Sequence, residues 1–187
     1  MTALLFMRTS LETERLIFRE MRPSDDVGMF ELDSNPEVHR YLGNKPLTSI
    51  DQSRERIADI RQQYLVNGIG RWAAILKETG EFIGWSGLRV DYNVNGHERF
   101  YDLGYRFIQR HWGKGYASES AKAFIEFGFN EMNLHIINAY TDFDNIASQK
   151  VLEKAGLQFV NAFPFDGTEE FWYEIRNPDS LTKRATD

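Results

Sequence analysis

Several short segments carry apolar residues at every second position, which predicts β-strands that each direct one face toward a core. In the segment 99–108, Tyr101, Leu103 and Tyr105 alternate with polar or small residues, so two faces can be distinguished. Short turns that contain glycine separate some of these runs, which is typical of hairpins. The predicted strands span 16–19, 71–77, 82–90, 99–108, 136–141, 158–165 and 169–176.

Other segments carry apolar residues three or four positions apart, which predicts helices. In the longest, 51–66, Ile57, Ile60 and Tyr64 recur at helical spacing, and Asn67-Gly68 ends the helix. The other predicted helices begin near Pro23 and Asn35 or span 117–130 and 145–155. Hairpins combined with a strand–helix–strand unit imply the α/β (α+β) class, with a mixed sheet and helices packed on it.

The length of 187 residues suits one domain, and no linker or internal repeat divides the chain. We expect an N-terminal extension over 1–10, a single domain over 11–177 and a flexible tail over 178–187. The apolar run 3–7 is much shorter than the roughly 20 residues of a membrane span, and it is also too short for the core of a signal peptide. The sequence therefore predicts a cytoplasmic protein that does not associate with membranes.

The charge and the cysteine content exclude several classes of partner and site. The 22 Lys and Arg residues and 28 Asp and Glu residues give a net charge of −6, which argues against a nucleic-acid partner. Because the chain has no cysteine, disulfides, thiolate zinc sites and cysteine nucleophiles are excluded. His39, His111 and His135 show no spacing typical of metal ligands, so no metal is predicted.

The segment 109–119 lies between a predicted strand and a predicted helix and is the most informative part of the chain. Gly113 and Gly115 let the backbone turn with its N–H groups converging, and the helix start adds further free N–H groups. Arg110 and Lys114 add positive charge. The segment therefore predicts an anion site suited to a pyrophosphate, with a plain strand-to-helix turn as the alternative. It matches neither a P-loop nor the three-glycine dinucleotide fingerprint.

A known family carries this pattern. Arg110-x-x-Gly113-x-Gly115 matches the [Gln/Arg]-x-x-Gly-x-[Gly/Ala] signature of the GCN5-related N-acetyltransferases (GNAT). The wider string 112–119 (WGKGYASE) resembles the branch that contains the ribosomal-protein N-terminal alanine acetyltransferases. Three further segments resemble that branch in the same order, so that the resemblance extends from 11 to 176: 11–16 (LETERL), 82–88 (FIGWSGL) and 144–157 (DNIASQKVLEKAGL).

The resemblance implies a fold and a reaction. The expected fold is a mixed, mostly antiparallel central sheet of six to seven strands, with helices on both faces and a splay between the two central strands. The expected reaction moves the acetyl group of acetyl-CoA, a co-substrate, to a primary amine by direct attack of the amine on the thioester.

The resemblance also implies which residues bind the cofactor. Backbone N–H groups of the 110–117 loop would hold the pyrophosphate, and Phe107 and Ile108 would pair with the pantetheine like an added strand. Asn145 matches a position that touches the cofactor from the following helix. The loop residues are Arg110, Gly113, Lys114, Gly115, Tyr116 and Ala117.

Two further residues are candidates for proton transfer. Asp102 stands where many family members carry a Glu, which makes it the candidate general base, with His97 and Glu98 as substitutes and an ordinary ion pair as the alternative role. Many members use a Tyr as general acid at the position of Leu152, so Ser148 is the candidate acid here. The alternative is that the Ser148 hydroxyl bonds to a carbonyl of its own helix.

The sequence does not determine which amine accepts the acetyl group. It is either the N-terminal amine of a protein, such as a ribosomal protein, or a small amine such as a polyamine or an antibiotic, selected by the loops 35–46 and 91–99. The alternatives from other classes are a non-catalytic acyl-CoA-binding domain and a structural interaction protein. The chain is expected to be a monomer or a homodimer.

Overall fold

The computed structural model of the chain describes residues 10–179. The predicted extension 1–10 and tail 178–187 therefore lie outside the described residues, apart from Ser10, Pro178 and Asp179. Within 10–179, no helix is both long and apolar enough to cross a membrane.

Residues 10–179 form eight strands and five α-helices. The helix Ile50–Asn67 begins at a capping box, in which Ser49 and Gln52 bond to each other's backbone, and it ends at Gly68, whose φ of +72° suits glycine. In chain order the elements are β1 Ser10–Glu12, β2 Leu16–Glu20, α1 Asp26–Ser34, α2 Pro36–His39, α3 Ile50–Asn67, β3 Trp72–Leu76, β4 Phe82–Val94, β5 His97–Phe107, α4 Tyr116–Asn130, β6 Ile136–Asp142, α5 Ile146–Lys154, β7 Gln158–Phe165 and β8 Thr168–Arg176, with short 3-10 helices at Pro23–Asp25 and Gln109–His111.

The strands form one sheet in the order β1-β2-β3-β4-β5-β6-β8-β7. All neighbours are antiparallel except β5 and β6, so the predicted mixed, mostly antiparallel sheet is confirmed. The pattern predicts seven strands and the resemblance six to seven, whereas residues 10–179 contain eight. The missed strand is β1, which has three residues and pairs with β2, and three residues are too few to show an alternating pattern.

The two central strands diverge, as expected from the resemblance. β5 pairs with β4 from Val94–His97 through Gly84–Phe107, and β6 pairs with β8 along its whole length. Between β5 and β6, however, a single register pair joins Asp102 to Asn138. β5 is therefore held by β4 and β6 by β8. Residues 103–107 of β5 and 139–142 of β6, here called the open arms, leave a gap between them.

Helices cover both faces of the sheet. On one face, the Phe124 ring of α4 packs edge-to-face against Phe18 and Trp72, and α5 adds Leu152 to the same core. On the other face, α1 and α3 cover β3 and β4 with apolar side chains that include Met29 and Ile57. Strand β3 serves both cores because its residues alternate between the two faces.

Candidate active site

The loop between β5 and α4 has the geometry of an anion site. Gly113 and Gly115 have φ values of +73° and +85°, a conformation that residues with a side chain rarely adopt. The backbone N–H groups of residues 113–118 make no hydrogen bond to any atom of residues 10–179, and those of 116–118 point out of the first turn of α4. Tyr116 and Ala117, both predicted to belong to this loop, occupy that turn. The loop can therefore donate several hydrogen bonds to one phosphate group.

A further cation reaches the loop from a distant part of the chain. Arg15, in the turn between β1 and β2, donates from Nη1 to the Lys114 carbonyl at 2.8 Å, and its guanidinium lies 4.5 Å from the centre of the Tyr116 ring. Glu119 holds it there, since Nε of Arg15 donates to Oε2 at 2.7 Å. Burial alone would raise the pKa of Glu119, but hydrogen bonds from Thr13 and Arg15 outweigh it and lower the pKa.

The two predicted cations of the loop differ in their surroundings. Arg110 forms ion pairs with Glu31 and Glu81, so its charge is already compensated by carboxylates. Lys114 is exposed and forms no ion pair within the described part of the chain. Arg15 is likewise paired with the Glu119 carboxylate, so within residues 10–179 Lys114 is the loop cation without an ion-pair partner.

Backbone groups of β5 line the gap next to β6. Ile108 donates its N–H to the Ile83 carbonyl at 2.9 Å, so the even-numbered residues at this end of β5 direct their backbone groups toward β4. The odd-numbered Tyr105 and Phe107 therefore direct theirs into the gap. The Phe107 carbonyl accepts a hydrogen bond from the Trp112 ring at 2.6 Å. Ile108 does not line the gap. Its N–H bonds to Ile83 on the β4 side, and its side chain is buried in the core that α1 and α3 cover.

A pair of hydroxyl groups bridges β5 and α5. Tyr105 Oη lies 3.0 Å from Ser148 Oγ and 3.1 Å from the Ser148 carbonyl oxygen, to which it donates. Asn145 caps α5 by accepting from the Ser148 N–H at 3.2 Å. Burial raises the pKa of Tyr105, so this hydroxyl stays protonated at neutral pH. The Ser148 hydroxyl thus meets Tyr105 rather than a carbonyl of its own helix.

Asp102 lies on the other face of the sheet, 4% exposed. Its carboxylate forms an ion pair with Arg71, which also donates to the Gly87 and Asp102 carbonyls, and it lies 3.3 Å from Nε of Arg89. Burial raises the pKa of Asp102, and the two arginines oppose that shift. These are the contacts of an internal ion pair, so the predicted role as general base stays a prediction.

Sequence reasoning did not single out Arg15, Arg71 or Tyr105 as functional. Arg15 falls in the 11–16 segment and Tyr105 in the alternating strand, but neither pattern indicates a partner about 40 or more residues away. Within residues 10–179, no group of three or more His, Asp or Glu side chains could hold a metal ion.

Comparison with known proteins identifies relatives over most of the chain. The family model of the acetyltransferase (GNAT) domain matches residues 15–158. The uncharacterised N-acetyltransferase p20 of Bacillus licheniformis is 36% identical over 149 residues, which are 80% of this chain and 82% of p20. A GNAT-family acetyltransferase from Bacillus anthracis superposes with a TM-score of 0.74 at 26% identity, covering 89% of this chain and 98% of its own.

The fold also matches RimL, a ribosomal L7/L12 alpha-N-protein acetyltransferase solved in complex with coenzyme A. The TM-score is 0.74 at 15% identity, and the match covers 91% of this chain and 97% of that one. At this identity the likeness concerns the fold alone.

Proposed function

The chain belongs to the GNAT family and is an N-acetyltransferase, and on that premise we propose that it transfers the acetyl group of acetyl-CoA to a primary amine by direct attack on the thioester. The observation that supports this most is the coincidence of two features. The glycine loop with its free N–H groups follows directly on the strand whose open arm borders the gap. A pyrophosphate at the loop and a thioester in the gap would belong to one extended ligand.

The residues near the loop fit the cofactor's charges. Acetyl-CoA would place its pyrophosphate on the N–H groups of residues 113–118, with Lys114 and Arg15 nearby. Its pantetheine would run along the open arm of β5 and bond to the backbone of Tyr105 and Phe107, as an added strand does. Asn145 would lie beside it, at the start of α5.

Ser148 is the residue we propose for protonation of the leaving thiolate. Tyr105 Oη lies within hydrogen-bond distance of Ser148 Oγ, which holds the serine hydroxyl beside β5. When the amine nitrogen bonds to the acetyl carbon and the C–S bond breaks, the sulfur takes the serine proton. The acylated nitrogen releases its surplus proton to water, and the serine takes a proton back from water. A backbone N–H of β5 in the gap would polarise the thioester carbonyl.

Ser148→Ala is expected to lower kcat roughly 10-fold, below the usual range for general acids because a thiolate leaves readily without one. KM for acetyl-CoA should stay unchanged, since the serine side chain meets Tyr105 and not the pyrophosphate loop. Steady-state kinetics at several acetyl-CoA concentrations measure both values.

Tyr105→Phe serves as the matched variant, because it keeps the ring and removes the hydroxyl. If Tyr105 acts only by orienting Ser148, the double variant should be no slower than Ser148→Ala. Additive losses would contradict this relation between the two hydroxyls.

The acceptor class can be found by a direct screen. Since the chain has no cysteine, a thiol reagent detects released CoA without background from the protein. We propose the N-terminal amine of a protein as acceptor, supported by the likeness of the 112–119 string to the ribosomal-protein branch, with polyamines and antibiotics as small-amine alternatives. CoA release with Ala- or Ser-leading peptides supports the proposal, and the absence of release with any amine contradicts it.

A further inference from the structure

A second carboxylate lies near the gap, beyond the one the sequence indicated. Asp142 is the last residue of β6, at the end of its open arm, and Glu170 lies directly opposite it on β8. Because cross-strand partners share a face, both side chains lie on the face of Tyr140 and Trp172. This is the face opposite to α5 and Ser148.

Glu170 is buried without a partner that neutralises it. Its side chain is 8% exposed, and no cation of residues 10–179 forms an ion pair with it. Its one hydrogen-bond partner is the Thr168 hydroxyl at 3.4 Å, which also lies 3.0 Å from the Phe165 carbonyl. A hydroxyl has one proton, and the shorter contact takes it, so the carboxylate is left with little stabilisation.

This environment brings the pKa of Glu170 close to neutral pH. Burial, together with the negative charge of Asp142, raises the pKa of Glu170 to about 7. A carboxylate that titrates near neutrality can both take up and release a proton under ordinary conditions.

The other charged groups around this face are engaged elsewhere. His97 of β5 stacks on the Trp172 ring at 4.7 Å, and Glu174 of β8 forms an ion pair with Arg176. On β4, Arg89 pairs with Asp91, and the Tyr140 hydroxyl lies 3.3 Å from both of them. Strand β7 presents the uncharged Phe163 opposite Glu170. Within residues 10–179, Asp142 is thus the neighbour whose charge acts on Glu170.

Asp102 and Glu170 differ in the property that a base needs. Asp102 shares its carboxylate with Arg71 and Arg89, which favour the ionised form and would be left buried and unpaired if it took up a proton. Protonation of Glu170 breaks no ion pair within the described residues and removes its repulsion from Asp142. Glu170 is therefore the better proton acceptor of the two.

We propose that Glu170, which lies opposite Asp142 on the face away from Ser148, removes the proton from the incoming ammonium group. The carboxylate takes one proton from R–NH3⁺ and leaves R–NH2 with a free electron pair. That pair forms the bond to the acetyl carbon, the C–S electrons pass to sulfur, and Ser148 protonates the thiolate. The acylated nitrogen then releases its surplus proton to water, which leaves the neutral amide, and Ser148 takes a proton back from water. Glu170 then returns its proton to water. This inference rests on the proposed acetyl transfer.

The test compares pH profiles of kcat/KM for the wild type and Glu170→Gln with one Ala-leading peptide. The acceptor's own ionisation is common to both profiles, so their difference reports on Glu170. The wild type should gain activity as the pH rises through about 7, and Glu170→Gln should lack that inflection and lose roughly 10-fold or more at pH 8. Asp142→Asn should move the inflection to lower pH. Glu169→Gln, which changes the adjacent exposed carboxylate on the opposite face, is the matched control and should keep the wild-type profile.

Thermal unfolding supplies a readout that does not depend on turnover. Because the folded-state pKa of Glu170 lies above that of an unfolded Glu, its ionisation opposes folding, and stability is lost as the pH rises from about 4.5 to about 7. Glu170→Gln should therefore raise Tm relative to wild type at pH 8 and have less effect at pH 4. An unchanged Tm difference across this range, or an unchanged pH–rate inflection in Glu170→Gln, overturns the inference. If the wild type transfers no acetyl group to any amine, the proposed function fails instead.

Discussion

Gly113→Glu should abolish measurable binding of acetyl-CoA, with an expected loss of roughly 100-fold or more in affinity, about 2.7 kcal/mol. Two effects add. The φ of +73° at this position strains any residue with a side chain by about 1–2 kcal/mol, and relief of that strain turns the loop N–H groups away from a common point. The new carboxylate also brings a negative charge to the site proposed for a pyrophosphate. Calorimetric titration of acetyl-CoA and CoA measures the effect, with micromolar binding at one site per chain expected for the wild type.

Gly96→Glu is the matched control for this experiment. Gly96 has a φ of +76°, and a Cβ at this position, as at Gly113, would meet no other atom within 4 Å, so the local strain is nearly the same. It lies in the turn before β5, while Gly113 follows the other end of that strand, which is roughly 35 Å long at ~3.4 Å per residue. Equal loss of affinity in both variants would assign the effect to unfolding. Unchanged affinity in Gly113→Glu would make the segment a plain turn.

Asp102→Asn is expected to destabilise the fold by about 3–5 kcal/mol, since removal of one partner leaves a buried charge uncompensated. The charge is that of Arg71, whose side chain is 6% exposed and which ties β5 to β4 through the Gly87 and Asp102 carbonyls. Gly104 has space for no side chain there, because a Cβ would lie 2.5 Å from the Arg71 guanidinium. Denaturant unfolding followed by circular dichroism gives the free energy of unfolding.

Glu12→Gln provides the comparison for Asp102→Asn. Glu12 forms an exposed ion pair with Lys77, and such pairs contribute about 0–1 kcal/mol. A small loss of stability in Asp102→Asn, combined with a large loss of kcat per folded molecule, would contradict the structural interpretation. It would instead support the role of Asp102 as general base.

Local pattern was enough to predict much of the fold and the glycine loop between β5 and α4. The alternation in β5 and the helical spacing in α3 and α4 predict those elements with boundaries within a few residues, because both depend on neighbours along the chain. The short strand β1 was missed since it is stabilised by its pairing with β2 and shows no period of its own. Gly113 and Gly115 were recognisable because a strand-to-helix turn with a positive φ favours glycine.

The partners of the candidate site were not recognisable in this way. Asp102 was found by its position before the loop, but its burial and its pairing with Arg71 depend on how β3, β4 and β5 lie side by side. In the sequence, nothing distinguishes Glu170 from its exposed neighbour Glu169. Its burial opposite Asp142 follows from the register of β6 with β8.

The sequence by itself determined the class of fold, the family and the loop, because periodicity and glycine positions express restrictions on single residues and their near neighbours. The tertiary structure alone decided which distant groups meet: Arg15 with Lys114, Tyr105 with Ser148, and Glu170 with Asp142. Burial changes how readily such groups hold a charge or a proton, and burial is a property of the packed sheet rather than of any segment.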